Sequence, residues 1–494
     1  MKKVAKIITS AVVAAAVAVT GISLGVHFGY ADKKVVQKEH NIKPNNDALS
    51  VAVISDLQLP NSKSKDTHQY ESFEKTLTVI KDKNPDVLII AGDYTDVGTR
   101  KAWATYKEIY DKVMANAKEP IVMGIMGNHD FWLPYFGECF EIPTPAKQIK
   151  RFTKYTGQPL YSHQTVNGYH FICWSSSDGS YDKSYANKDQ MRAEIEKAIE
   201  DDPSKPVFVI THINPSDTAY GSDEWGNDDI NEVLKDYPQV VSLSGHSHYS
   251  LLDERSIFQG SYTALTTQSL DYIELESGKY NGSVPKDAYG NRNLAEDMPL
   301  CLFMSIDENK LTIERLEANT GKTAKEPWVL TAPFDKPSAY TLRSRKAGNR
   351  APVLDSNFTV TVKKITDVNG EKQNAVSFKA GRDDDFVHSY RLRFLDKNKQ
   401  PLTFAETDYD GNVLRYDAEG NKVSADSDDY DKAEEKQIDN LLYFSDFCLG
   451  LENMSDTALL RLPKNMPKNT KYIEVAAIDS WGAESNPVAC TVGE

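Results

Sequence analysis

Five short apolar runs, each followed within a few residues by Asp, Asn or His, constrain this chain more than any other feature. Val51-Ala-Val-Ile54 leads into Ser55-Asp56, and Val87-Leu-Ile-Ile90 into Ala91-Gly92-Asp93. Ile121 to Met126 leads into Gly127-Asn128-His129-Asp130, Val207-Phe-Val-Ile210 into Thr211-His212, and Val240-Val-Ser-Leu243 into Gly245-His246-Ser247-His248. Runs of this kind suit strands buried on both faces. Apolar residues recur at helical steps between them: Tyr70, Phe73, Leu77 and Ile80; Trp103, Tyr106, Tyr110 and Val113; Met191, Ile195 and Ile199. The alternation predicts an α/β domain, in which ligands gather at the carboxyl ends of strands.

Those ends carry an unusual set of donors. Asp56 and Gln58 are two residues apart, so on an extended segment they point to one side; His246 and His248 repeat the spacing. Gly92 beside Asp93 and Gly245 beside His246 let the backbone approach closely. Carboxylate, amide and imidazole together suit divalent transition metals. Asp56, Gln58, Asp93, Asn128, His212, His246 and His248 are too many for one ion. They match two ions that share a carboxylate and clamp an in-line phosphoryl displacement.

Asp56-Leu-Gln58, Gly92-Asp93-Tyr-Thr-Asp96, Gly127-Asn128-His129-Asp130, Thr211-His212 and Gly245-His246-Ser-His248 resemble, in order and spacing, the five motifs of the calcineurin-like metallophosphoesterases. The resemblance covers about residues 50–320. It implies an α/β fold with a β-sandwich core flanked by helices, and two divalent metal ions (Mn, Fe or Zn). One ion falls to Asp56, Gln58, Asp93 and His248, the other to Asp93, Asn128, His212 and His246, with Asp93 bridging. It also implies that a metal-bridging hydroxide attacks phosphorus while His129, oriented by Asp130, assists the leaving oxygen. Two positions depart from the family pattern. Gln58 stands where the family usually has His, which favours Mn or Fe over Zn at that ion, and Asp130 stands where Glu is common.

The flanks differ in character. Lys2, Lys3 and Lys6 precede 24 residues, Ile7 to Tyr30, that hold no Asp, Glu, Lys or Arg. Residues 1–31 read as a signal peptide or an uncleaved signal anchor, and 32–48 as a linker. The phosphoesterase domain is expected over 49–335 and a second linker over 336–355. The alternating strands of 356–494, such as Phe358-Thr-Val-Thr-Val-Lys and Tyr472-Ile-Glu-Val-Ala-Ala-Ile, predict an all-β sandwich. Asp253-Glu-Arg-Ser-Ile-Phe-Gln-Gly, Thr266-Thr-Gln-Ser-Leu and Ala477-Ile-Asp479-Ser-Trp481-Gly482 resemble exported bacterial phosphoesterases with a C-terminal fibronectin type III-like domain, an immunoglobulin-like sandwich. The net charge of −15 over 494 residues offers no field for a nucleic-acid polymer. Five cysteines without a CxxC exclude a zinc knuckle or a disulfide scaffold.

Other residues carry weaker signals. Asp96 reads equally as an orienter of the site or as a helix cap; Phe131, Trp132 and Tyr135 as pocket lip or core; Trp225 and Tyr249 as pocket neighbours. His170 is expected in the core, His68, His163 and His388 at the surface or in turns, and Cys139 and Cys173 as buried thiols. Asp408 to Asn412 reads as a hairpin turn rather than a calcium loop. The expected function is an exported phosphomonoesterase or phosphodiesterase acting on a small phosphorylated substrate, cell-surface associated through its N-terminal segment or C-terminal domain. Nucleotide or nucleotide-sugar pyrophosphate cleavage, and a degenerate surface-binding protein, are the alternatives.

Overall fold

The computed structural model describes residues 34–62, 64–132, 144–180, 185, 187–274, 298–336, 339–366, 372–385, 387–407, 413–445 and 456–492. The expected leader at 1–31, Tyr135, Cys139 and the turn at 408–412 lie outside them.

In chain order the first half reads β1 (Val36–His40), β2 (Leu49–Ile54), α1 (His68–Lys83), β3 (Val87–Ile90), α2 (Arg100–Met114), β4 (Ile121–Gly124), α3 (Pro145–Thr156), β5 (Tyr161–Val166), β6 (Tyr169–Trp174), α4 (Lys188–Asp201) and β7 (Val207–Ile210). There follow β8 (Val240–Ser244), β9 (Ile257–Gln259), β10 (Thr263–Thr266), β11 (Leu300–Ile306), β12 (Lys310–Glu317) and β13 (Thr323–Thr331). Two mixed sheets result, ordered β1-β5-β6-β7-β8-β10-β9 and β13-β12-β11-β2-β3-β4. Val51, Val53, Ile89 and Met304 of one sheet share a core with Phe171, Phe208, Ile210 and Leu243 of the other. Each such side chain contributes about 1.5–3 kcal/mol on burial. Thr67, Thr99 and Thr144 cap α1, α2 and α3 by accepting from a backbone N–H in the first turn.

β2, β3 and β4 run parallel, as do β6, β7, β8 and β10. All the strands that precede the donor residues therefore end on one edge of the sandwich. The two sheets are joined there by a bridge between Ser55 and Ser269.

Two sequence expectations are corrected in this half. Val36–His40, inside the stretch read as a linker, is the edge strand of the first sheet and pairs in parallel with β5. His163 is buried rather than at the surface: its Nδ1 lies 2.8 Å from Glu194 Oε2 on α4, and its Nε2 lies 2.8 Å from His170 Nδ1. The β5–β6 turn is confined to Asn167-Gly168, both at positive φ, so His163 sits within the strand, beneath α4. His170 is buried, as its apolar run implied.

The C-terminal part is all-β. Strands β14 (Thr361–Thr366), β15 (Lys372–Lys379), β16 (Val387–Leu395), β17 (Leu441–Phe444), β18 (Thr457–Arg461), β19 (Tyr472–Asp479) and β20 (Val488–Thr491) form antiparallel sheets ordered β14-β15-β18 and β17-β16-β19-β20. Val376, Phe378 and Leu460 of the first pack with Tyr390, Leu392 and Val475 of the second, so the pair is a β-sandwich. A short helix, Leu342–Gly348, lies in the expected linker.

The sandwich docks on the α/β half through polar contacts. Ser480 Oγ donates to Asp253 Oδ2 at 2.9 Å and Lys325 Nζ reaches Asp385 Oδ1 at 2.9 Å, while Trp481, within the sandwich, holds Asp385 by donating Nε1 to its Oδ2 at 2.9 Å. Tyr220 OH lies 2.6 Å from His388 Nε2. His388 is thus buried in this junction rather than in a surface turn, because β16 begins at Val387 and faces the α/β half.

Asp253 anchors the junction and is fully buried, and Arg255 forks onto both its oxygens at 3.1 and 2.8 Å. Burial is the largest single influence and raises its carboxyl pKa, but the charge and hydrogen bonds of Arg255, with the charge of His388, together hold it down to about 2. Its stabilising effect is therefore full above pH ~4 and lost as the pH falls toward 2. Asp253→Asn should destabilise the protein by about 3 kcal/mol at neutral pH, and the loss should shrink in acid. Thermal melts of both proteins at pH 7 and pH 3 check this; an equal difference at the two values contradicts it.

Candidate metal centre

The site is built where the strands stop. Asp56 and Gln58 follow β2, Asp93 follows β3, Asn128 and His129 follow β4, His212 follows β7, and His246 and His248 follow β8. Asp56, Gln58, Asp93, His246 and His248 all have φ between 46° and 70°. Left-handed backbone disfavours residues with a Cβ, and it recurs where a site over-determines the chain. Here it turns the chain out of the strand direction at each sheet edge, so that side chains from separate strands meet at a common point. Three glycines make the approach possible. A Cβ on Gly92 would lie 2.5 Å from His212 Nδ1, one on Gly127 would collide with Asp93 Oδ1, and one on Gly245 with Asp56 Oδ2.

Asp93 is the hub. Its Oδ2 lies 3.1 Å from His212 Nε2 and accepts from Gln58 Nε2 at 3.1 Å, and its Oδ1 accepts from His129 N at 2.9 Å. His212 Nε2 also lies 3.0 Å from Asn128 Oδ1 and 3.9 Å from Asp56 Oδ1. Asp56 Oδ1 lies 3.1 Å from His248 Nε2, and both Asp56 oxygens accept from the His246 backbone N–H. The His246 ring stands at 66° to that of His212, centroids 5.2 Å apart. All seven residues expected as metal ligands therefore meet in one buried cluster. Donor atoms of Asp56, Asp93 and His212 lie within 4.8 Å of one another.

The donor set fits divalent cations. Ligand atoms at ~2.0–2.2 Å from one ion stand roughly 3–3.5 Å apart, which is the spacing here. His212 Nδ1 lies 2.8 Å from the Ala91 carbonyl, so it donates its hydrogen there, and the Nε2 lone pair is the one turned on the cluster. Among the described residues, Asn128 Nδ2 and His248 Nδ1 are buried without a hydrogen-bond partner.

The charges balance internally. Burial raises the Asp93 carboxyl, but the imidazoles of His212 and His129 hold it well below the usual range. Burial likewise opposes charge on His212, and Asp93 and Asp56 nonetheless raise it to about 9, so a cation bound at Nε2 would take the place of a proton there. Burial and the neighbouring His212 push His246 down to about 3, a neutral ring suited to ligation.

His129 sits at the edge of the cluster. Its Nδ1 lies 2.9 Å from the Asp96 carbonyl and 3.5 Å from the Asp96 carboxylate. The sequence puts Asp130 in this orienting role, whereas in the structure Asp96 meets the imidazole. Among the described residues, Asp130 Oδ1 accepts from Thr95 N and Oγ1 at 3.1 and 2.9 Å, and Oδ2 accepts from Gly127 N at 3.1 Å. Those bonds brace the Asp93 and Asn128 loops against each other, and the shorter Asp side chain is directed inward, away from the imidazole. Helix capping falls to Thr99, leaving Asp96 for His129.

Two supporting residues escaped the sequence reading. Ser55 Oγ donates to Asp56 Oδ2, and it lies 2.6 Å from Thr267 Oγ1. Thr267 follows Thr266 at the end of β10, so position beside a strand end was the available signal. Phe131 is buried, Trp132 is exposed, Trp225 is half-buried and Tyr249 is buried. Tyr249 stacks on Tyr220 at 4.2 Å, so it buttresses the His248 loop and does not line the site mouth.

Residues 49–250 match the family model of calcineurin-like phosphoesterases. No curated protein matches the chain. Similar solved structures include the purple acid phosphatase PPD1 of yellow lupin (TM-score 0.40, 10% identity, 60% of this chain and 56% of that one). A predicted phosphoesterase of Streptococcus pneumoniae TIGR4 has TM-score 0.25 and 10% identity over 58% of this chain and 99% of its own. Entamoeba histolytica Vps29 complexed with zinc has TM-score 0.25 and 11% identity over 57% and 98%. This chain spans little over half of the lupin protein.

Two substitutions test the construction. Gly127→Ala drives a methyl into the Asp93 carboxylate and should abolish metal uptake while the circular dichroism spectrum is kept. Ser55→Ala removes a support of Asp56 and should weaken metal binding about 10–100-fold, read by competition with a fluorescent chelator.

Proposed function

We propose that the protein, whose residues 49–250 match the model of calcineurin-like phosphoesterases, is an exported hydrolase of phosphomonoesters or phosphodiesters, dependent on two divalent cations. One observation carries the reading: seven metal-type donors from five strand ends converge in one buried cluster, with Asp93 touching both halves of it.

Asp56, Gln58, Asp93 and His248 would hold one cation, and Asp93, Asn128, His212 and His246 the other. When bound, the cations supply Lewis acidity toward the phosphoryl oxygens and a nucleophile drawn from water at neutral pH. Asp93 and Asp56 keep the centre anionic enough to retain them. His212 is held to one tautomer by the Ala91 carbonyl, which directs Nε2 inward. His129 gives its Nδ1 hydrogen to Asp96, so Nε2 is the atom available to the departing oxygen, as proton donor or hydrogen-bond donor. The preformed cluster asks little reorganisation of the protein during reaction. The charge-free stretch at Ile7–Tyr30 supports export.

Asp93→Ala and His246→Ala should each reduce hydrolysis of p-nitrophenyl phosphate and bis-p-nitrophenyl phosphate by about 10²–10³-fold or more, with melting temperatures that still report a folded protein. His129→Ala should lower kcat and leave bound metal, measured by elemental analysis, unchanged. Wild-type turnover by any of these variants contradicts the assignment. Chelation with EDTA should silence the enzyme, and Mn²⁺ should restore it.

A further inference from the structure

Among the described residues, five large hydrophobic side chains are exposed, and only two of them are aromatic: Trp132 at 42% and Tyr272 at 37%. Both lie against imidazoles of the metal centre. The Trp132 ring is 3.9 Å from that of His129, centroid to centroid, with 36° between planes. The Tyr272 ring is 4.3 Å from that of His248, at 54°. Half-buried Trp225 stands edge-on to His246 at 6.3 Å and 84°. The cluster is therefore bordered by aromatic rings, of which Trp132 and Tyr272 keep part of their surface in solvent and Trp225 is half-buried.

Rings left in water forgo the free energy of burial, and an exposed aromatic group at the mouth of a polar site marks a place for an apolar partner. The ring beside His129 is the informative one. His129 is the residue whose Nε2 is available to the departing oxygen, so whatever is attached to that oxygen passes Trp132. A flat apolar surface beside His129 can recognise the organic part of the substrate.

We propose that the site selects phosphoesters whose alcohol carries a planar aromatic ring, aryl or nucleobase, which stacks on Trp132 with Tyr272 as a second face. The proposal rests on the phosphoesterase reading above and deepens it. Trp132 and Tyr272 are specificity residues: they bind the leaving group and take no part in bond breaking. Stacking of one ring on another is worth roughly a factor of ten in affinity.

The test uses pairs matched in leaving-group chemistry, so that ring planarity alone differs: benzyl against cyclohexylmethyl phosphate, and their methyl diesters. Full-length enzyme supplemented with Mn²⁺ should favour the benzyl ester by about tenfold in kcat/KM. Trp132→Ala should bring that ratio toward one, Trp132→Phe should keep most of it, and Tyr272→Ala should lower it partly. A ratio near one in the wild type, or a ratio unmoved in Trp132→Ala, overturns the proposal. Calorimetric binding of benzylphosphonate against cyclohexylmethylphosphonate gives the same ratio without turnover. An enzyme that prefers benzylphosphonate through Trp132 yet hydrolyses neither ester would sink the phosphoesterase reading and leave the stacking site standing. Equal hydrolysis of both esters would do the reverse.

Discussion

The backbone at the ends of β2, β3 and β8 adopts a conformation that side chains disfavour, and the rest of the site depends on it. Asp56, Gln58, Asp93, His246 and His248 are all left-handed. Each such residue costs about 1 kcal/mol or more. The cost is borne because the surroundings admit no alternative. The strands behind these residues lie inside two sheets, flanked on both sides by hydrogen-bonded neighbours. Tyr94, next to Asp93, is locked among Trp103, Tyr106 and Phe152 at 5.4, 4.9 and 5.9 Å. Gly127 and Gly245 leave room for the two carboxylates. The donors are consequently brought together by covalent and packing constraints rather than by mutual attraction, which suits a centre that must hold cations without rearranging.

The C-terminal sandwich is not a passive appendage to this arrangement. His388 meets Tyr220 OH, Tyr220 stacks on Tyr249, and Tyr249 directly follows His248. The Arg255 guanidinium lies 3.8 Å from the centre of the Tyr220 ring and pairs with Asp253, which also takes the hydrogen bond from Ser480. A continuous series of contacts thus runs from the β-sandwich to the loop that bears two of the seven donors. The metal centre and the domain junction share a wall.

Much of this was legible because its signals are local. A buried strand announces itself by a short run of mostly apolar residues, and the residues after it have a known place on the sheet edge. Asp56, Gln58, Asp93, Asn128, His212, His246 and His248 were found that way, without any knowledge of distance. Failures came where a residue's fate depends on what packs over it. His163 has polar neighbours in sequence, yet α4 closes over it and supplies Glu194. Val36–His40 is polar after its first residue because it is an edge strand with mostly exposed side chains, a pattern that composition cannot separate from a linker. Asp130 was assigned to its sequence neighbour His129, whereas its oxygens serve Thr95 and Gly127.

By itself, the order of residues determined that five strands end in metal-type donors and that those ends lie on one edge of a sheet structure, because side-chain alternation and apolar run length are properties of the chain alone. Tertiary structure decided which donors share an atom's neighbourhood, that Asp96 rather than Asp130 orients His129, and that aromatic rings frame the mouth. Those outcomes depend on distances between segments far apart in sequence, and only the packing of one sheet on the other determines such distances.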